Sequence, residues 1–305
     1  MYNLEILFLL AILPVVLLAS FIYKKDAHKE PMKLLRKLFG FGCLTVFPII
    51  VVELFLAGFF DEEGLVDFIP IFIYYFICIG SVEEFFKWIV VRLYAFNDKE
   101  YDEVYDIIVY SVFVSLGFAC IENIMYVFVH GAKTAILRAI TSIPGHTCFG
   151  VIMGYYYSKS KVAQISNNKS VYHMNMLLSI LVPTIFHTLY DAIISYIAAN
   201  ITDGNEFLLL LFVGFDIFMV IYCFNLVNKM SKVQQNLYQK EKTGVIVKNN
   251  DGTISVQSVQ PTNTVQTVQS TNAVSTVQPT ISYCPVCGHG VKGFHYCAYC
   301  GYKVD

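Results

Sequence analysis

The sequence predicts an all-α polytopic membrane protein of about seven transmembrane helices, followed by a small, separate C-terminal domain. Three observations point there. The chain is 56% hydrophobic and only 14% charged, well away from the balance of a soluble domain. Its apolar residues gather into seven windows of about twenty residues, the length that crosses the hydrocarbon core as a helix. Behind the last window the composition turns polar and ends in paired cysteines.

The expected spans are Asn3–Tyr23, Leu38–Phe60, Phe68–Arg92, Val104–Val129, Ala135–Ser158, Met174–Ala199 and Phe207–Asn228. The first lacks a basic n-region, carries Glu5 near its start and has its lysines after the apolar run, which favours an uncleaved helix over a signal peptide. Basic residues stay in cytoplasmic loops more often than they cross. Lys24, Lys25, Lys29, Lys33, Arg36 and Lys37 follow span one, Lys159, Lys161 and Lys169 follow span five, and Lys229, Lys232, Lys240 and Lys242 follow span seven. The loops after spans two and six carry none. The expected orientation therefore puts the N-terminus outside and the C-terminus in the cytoplasm. With a net charge of −2, the lysines read as topology signals and not as a nucleic-acid footprint.

Composition divides the chain into a membrane domain (1–230), a flexible linker rich in Val, Gln, Ser and Thr (231–282) and a terminal unit (283–305). The Val-Gln repeats at 256–257, 259–260, 265–266, 268–269 and 277–278 lie in a stretch without aromatics. Such a stretch buries too little apolar area to offset its ordering entropy, although alternating Val and Thr also suit a strand. The terminal unit holds Cys284-Pro-Val-Cys287 and Cys297-Ala-Tyr-Cys300, each followed by Gly. Two such knuckles are what a tetrahedral structural Zn²⁺ needs, so a zinc ribbon is expected. The alternative, a disulfide pair, is disfavoured on a reducing cytoplasmic side. Lys292 and Lys303 are the only basic residues near it, which fits a cytoplasmic protein partner better than nucleic acid. Cys43, Cys78, Cys120, Cys148 and Cys223 stand singly in spans and read as small buried hydrophobes.

Among the ionisable side chains inside the apolar spans, seven are site candidates: Glu83, Glu84, Lys87, Glu122, His146, His187 and Asp191. At roughly 2.5–3.5 kcal/mol each on insertion scales, they imply a polar active site within the bilayer. Helical spacing puts Lys87 one turn beyond both glutamates, so that one carboxylate pairs with the ammonium while its neighbour, about 100° around the helix, projects elsewhere. The paired one is expected to be structural, the other a general base. The alternative is a salt-bridge network between helices. Glu122 is a water or metal ligand, or the partner of Lys87. His146 follows Pro144-Gly145 and shares a stripe with Gly150 and Gly154; it is a site residue or a satisfied structural donor. His187 and Asp191 lie one turn apart, the spacing with which a carboxylate fixes an imidazole. Counted at about 1.5 Å per residue from the outer span ends, Glu83, Glu122, His146, His187 and Asp191 lie roughly 11–22 Å deep and converge near mid-membrane.

The motifs Glu83-Glu84-x-x-Lys87, Tyr101-Asp102-Glu103-x-x-Asp106-Ile-Ile-Val-Tyr110, Gly117-Phe118-Ala-x-x-Glu122-Asn123, Pro144-Gly145-His146-x-x-x-Gly150 and His187-x-x-x-Asp191 resemble the PrsW family, within the wider group of CAAX prenyl proteases and bacteriocin-processing enzymes. The resemblance runs from about Leu4 to Asn228 and leaves out the linker and the ribbon. It implies an intramembrane endopeptidase of the bacterial plasma membrane that hydrolyses peptide bonds in membrane-bound protein substrates. In PrsW itself the reaction is the first, extracytoplasmic-side cut in an anti-sigma factor. Glu83 or Glu84, His146 and His187 take the catalytic positions by that resemblance, and Glu122 stands where prenyl-protease relatives carry a His. Metal-assisted and glutamate-dependent, metal-free hydrolysis both stay open, and the His-Glu-x-x-His helix of the zincins is absent. An ion-coupled transporter would also bury such charges, but would show paired broken helices. A non-enzymatic scaffold presenting the ribbon would leave the buried charges unexplained.

Overall fold

The computed structural model describes residues 4–60, 64–165, 167–201, 207–248 and 254–258. The helices are α1 (Leu4–Lys25), α2 (Met32–Ala57), α3 (Phe68–Tyr75), α4 (Ser81–Tyr94), α5 (Asp106–His130), α6 (Ala132–Ile140), α7 (Ser142–Ile165), α8 (Lys169–Asn200) and α9 (Phe207–Thr243). A single π-helical turn, Phe76–Gly80, welds α3 to α4. Taken with α6–α7, these make seven segments long and apolar enough to cross a membrane, one for each expected span.

The outside of the bundle is apolar. Phe47, Val51, Leu54, Leu210 and Leu211 are among its exposed large side chains, as a surface solvated by lipid requires, with backbone bonds closed inside each helix. The inside is organised on α5, which is buried along most of its length and packs against α2 on one side and α7 on another. Glycine makes both crossings close. A Cβ on Gly117 would stand 2.1 Å from the Phe39 carbonyl oxygen, and one on Gly42 2.1 Å from that of Val114. On α7, Gly150 lies against Val112 and Ser115, and Gly154 against Ile108. The glycine stripe read from the sequence thus faces α5, in the small-residue mode of helix pairs that lack a hydrophobic driving force.

Two details depart from expectation. The span containing Pro144-Gly145 does not break there. It breaks at Thr141, between α6 and α7, and Pro144 sits in the first turn of α7, where its missing N–H is one of the orphans anyway. Second, α9 continues past Asn228 to Thr243, through the start of the segment read as linker. Beyond it β1 (Gly244–Lys248) pairs antiparallel with β2 (Ile254–Ser258), Gly244 opposite Ser258. The rest of the linker and the four-cysteine unit lie outside the described residues.

The glycine crossings yield a direct test. Gly117→Ala should lower stability by about 1–3 kcal/mol through overpacking, whereas Gly40→Ala, where a Cβ meets nothing within 4 Å, should be neutral or gain up to about 1 kcal/mol in helix propensity. Thermal unfolding of both variants in detergent reads the difference.

Candidate active site

The polar residues of the spans meet at one place because three helices turn them toward α5. The π-turn ends at Gly80, whose absent side chain lets α4 approach α8: a Cβ there would lie 2.6 Å from Thr188 Oγ1. Such turns often mark functional sites. Immediately beyond it, α4 presents Glu83, Glu84 and Lys87, all buried. Trp88 is anchored to α8 and α7, its Nε1 donating to Ser179 Oγ at 2.8 Å and its carbonyl accepting from Tyr157 Oη at 2.9 Å.

Lys87 Nζ is the hub. It donates to Glu84 Oε1 at 2.8 Å, to Glu83 Oε2 at 3.0 Å and to His146 Nδ1 at 3.2 Å, and lies 4.1 Å from the centre of the Phe118 ring. The sequence-based division of the glutamates is corrected here. Both carboxylates bind the ammonium, since a four-carbon stem reaches an i−3 and an i−4 partner together. What separates them is access. The Glu84 side chain is wholly enclosed and that of Glu83 is 6% exposed.

With Nδ1 accepting from Lys87, His146 carries its proton on Nε2 and donates to Glu122 Oε2 at 3.0 Å. Its backbone carbonyl accepts from Ser115 Oγ at 2.7 Å, which fixes the imidazole relative to α5. His187 stacks on Phe149, ring centres 4.6 Å apart. Its Nδ1 faces Glu84 Oε1 at 3.0 Å, while Nε2 lies 3.3 Å from Asp191 Oδ2 and 3.8 Å from Glu83 Oε2. The predicted one-turn pairing of His187 with Asp191 is therefore present, and His187 bridges both glutamates as well.

Glu122 is not the partner of Lys87. It is held by Arg138 Nη2 at 2.6 Å and by His146, while Arg138 Nε donates to Asn123 Oδ1 at 3.0 Å. Arg138 escaped the sequence reading because it falls near the end of its expected span, where a charge is inexpensive; the short amphipathic α6 carries it back over the site. Glu53 on α2 escaped as well: its buried Oε1 has no hydrogen-bond partner among the described residues. A single acid amid an apolar run gives no spacing signal. Arg138, Glu122 and Asp191 are 14%, 16% and 22% exposed, so they form the open rim of an otherwise closed site.

The donor set suits a metal. One ligand atom from each of Glu83, Glu84, His146 and His187 lies within 4.8 Å of the others, and mixed imidazole and carboxylate donors are those of catalytic zinc. Glu84 Oε2 is buried without a hydrogen-bond partner, an orphan acceptor that a cation would satisfy. The Lys87 ammonium sits among the same donors, so any metal taking Glu84 Oε1 or His146 Nδ1 displaces a hydrogen bond of this lysine.

Buried carboxylates, imidazoles and an ammonium enclosed by membrane-spanning helices define a multi-pass membrane protein with a hydrolase-like site. Comparison with known proteins specifies the class. Residues 30–223 match the family described as PrsW family intramembrane metalloprotease, and the chain belongs to that family. It is similar to Protease PrsW of Oceanobacillus iheyensis, 36% identical over 66% of this chain and 89% of the relative. It is also similar to Protease PrsW of Geobacillus kaustophilus (41%, over 58% and 75%) and of Bacillus subtilis (35%, over 60% and 80%). No solved structure matches. The protein is thus an intramembrane protease of a metalloprotease family.

Arg138→Met removes the guanidinium from a largely buried carboxylate. Breaking such a pair costs about 3–5 kcal/mol, and the partly exposed rim places this one near the lower bound. Arg138→Lys, which supplies one donor direction where Arg138 uses two, should recover only part of the loss. Unfolding temperatures of the two variants against wild type measure it.

Proposed function

We propose that Glu83, Glu84, Lys87, His146 and His187, with Glu122 and Asp191 at the rim, form the peptide-hydrolysing site, and that its substrate is a membrane-anchored protein. The carrying observation is the convergence of two carboxylates and two imidazoles from α4, α7 and α8 within 4.8 Å, beside a rim that is partly open. Glu83 is the base. It is the more accessible of the paired glutamates and takes a proton from a water whose oxygen attacks the peptide carbonyl. His187, oriented by Asp191 and Glu84, returns a proton to the leaving amine. Lys87 and His146 face the developing oxyanion charge. Glu84, enclosed and bound to both Lys87 and His187, keeps α4 and α8 in register. A metal, where bound, would be held by Glu84, His146 and His187 and would supply Lewis-acid polarisation of the carbonyl and an acidified water.

Three finer assignments go with this reading. The Lys and Arg bias supports an outside N-terminus and a cytoplasmic C-terminus, which turns the open rim to the extracytoplasmic side. The resemblance supports an anti-sigma factor as the substrate to try first, in the plasma membrane. Cys284, Cys287, Cys297 and Cys300, outside the described residues, would bind a structural Zn²⁺ in a ribbon that meets a cytoplasmic protein partner. Family membership favours the protease over the transporter and scaffold readings.

Glu83→Gln should reduce cleavage of a membrane-anchored substrate by at least about 10²–10⁴-fold at unchanged expression and unfolding temperature. Unimpaired cleavage sinks the assignment. Glu84→Gln should lower both activity and folded yield, because it weakens two bonds of a fully enclosed group. Transition-metal content separates the hub from the ribbon: a chain ending at Thr243 that retains about one transition-metal ion per chain places it at the Glu–His hub, and a chain that loses all of it restricts such metal to the ribbon and favours glutamate-dependent hydrolysis.

A further inference from the structure

A second polar cluster lies at the other end of α5, on the side of the bundle away from the open rim. It is built from the α1–α2 connection, the loop before α5 and the first residue of α5. Asp26, Glu103 and Asp106 are 3%, 4% and 0% exposed, and one carboxylate oxygen from each lies within 4.8 Å of the others. Each acid uses one oxygen inside the protein. Asp26 Oδ1 accepts from the His28 amide at 3.2 Å and from Gln234 Nε2 of α9 at 3.1 Å. Asp106 Oδ2 accepts from the amides of Asp102 at 3.1 Å and Glu103 at 2.6 Å, and Glu103 Oε1 pairs with His28 Nδ1. The second oxygen of every one of the three, Asp26 Oδ2, Glu103 Oε2 and Asp106 Oδ1, is buried without a hydrogen-bond partner among the described residues. Buried acceptors are normally satisfied, and three bare carboxylate oxygens in one pocket call for a cation.

Among the described residues, the neighbouring ammonium groups bond other atoms. Lys29 donates to the backbone carbonyls of Tyr23 and Lys24 at 2.8 and 3.1 Å and to that of Asp26, and to none of the three bare carboxylate oxygens. Lys25 donates to Asn228 Oδ1 at 2.7 Å. A fourth acid, Glu30, stands beside the cluster and accepts from Tyr110 Oη.

We propose that Asp26, Glu103 and Asp106 bind a hard divalent cation, Mg²⁺ or Ca²⁺, that ties the α1–α2 connection and α9 to the start of α5. All-oxygen carboxylate ligation selects these ions over the softer metals that imidazole and thiolate prefer. The site is distinct from the Glu–His hub: sixteen residues of α5 separate Asp106 from Glu122, about 24 Å at 1.5 Å per residue.

The test uses the full-length protein in detergent, stripped with EDTA and titrated separately with Mg²⁺ and Ca²⁺. Neither ion replaces zinc at a four-thiolate site. A saturable rise in unfolding temperature is expected, roughly 5–10 °C at about a hundred times Kd, and the ion with the lower midpoint is the one the site takes. Asp26→Asn keeps an oxygen for His28 and Gln234 and removes the charge, so it should raise the midpoint at least tenfold, as should Glu103→Gln. Glu83→Gln should leave it unchanged. No rise with either ion overturns the proposal, as does an unaltered midpoint in both acid variants, or a midpoint shifted by Glu83→Gln. Should both acid variants fail to fold, tyrosine-excited Tb³⁺ emission from the wild type decides: saturable emission displaced by Ca²⁺ or Mg²⁺ upholds the site, and its absence overturns it.

Discussion

Lys87 Nζ has no exposure to solvent and lies deep in a membrane-spanning segment, yet it reaches two carboxylates and an imidazole within 3.2 Å. An ammonium in low dielectric is tolerable only when its donors are all matched. Two of the matching groups lie on α4 itself and the third, His146, on α7, so satisfying this side chain ties α4 to α7, while His187, facing both glutamates, brings α8 to the same point. Gly80 at the α4–α8 crossing and Gly150 and Gly154 at the α7–α5 crossing supply the close approach this requires. Backbone choices otherwise unremarkable in a helix thereby become part of the site. The outer residues then fall into order: Arg138 fixes Glu122, Glu122 fixes His146, and Asp191 fixes His187.

The same network explains how two adjacent glutamates differ in chemistry while sharing an ammonium. A fully enclosed carboxylate bound by Lys87 and His187 has its geometry set from two sides. Its neighbour keeps one firm bond, to Lys87, and a looser approach to His187 at 3.8 Å. The freer oxygen is the one a water can reach. In the proposed assignment, exposure and not the identity of the salt-bridge partner therefore separates the structural from the reactive carboxylate.

Helical periodicity and hydrophobic length made most of the fold legible. Each expected span has its helix because twenty apolar residues have one stable way to cross lipid. The site residues were legible for the complementary reason: an ionisable group inside such a run is costly, so its presence is informative in itself. Arg138 shows where this signal ends: it lies near a span end, where charge is inexpensive, and only the break at Thr141 folds it over Glu122. Glu53, a lone acid in an apolar run like Glu122, carried the signal and lacked only a second ionisable group at helical spacing. The Asp26–Glu103–Asp106 cluster joins residues about eighty positions apart through loops, whose conformation carries no periodicity to read. The π-turn was hidden because its sequence, Phe-Ile-Cys-Ile-Gly, is as apolar as the helices around it.

The two polar clusters sit at different levels of one rod, and their positions constrain how a substrate gains access. Glu122 lies eight residues before the end of α5, about 12 Å from it, while Asp106 begins the same helix at the opposite end. The rim residues Glu122, Arg138 and Asp191 are the partly exposed members of the hub, and all are turned toward the α6 end. Between hub and cluster, α5 is sealed by α2 and α7 with glycine contacts too close to admit another chain. Under the proposed assignment of Glu83 as the base, the closed crossings of α5 and the partly exposed rim leave the α6 side as an approach for a peptide carbonyl.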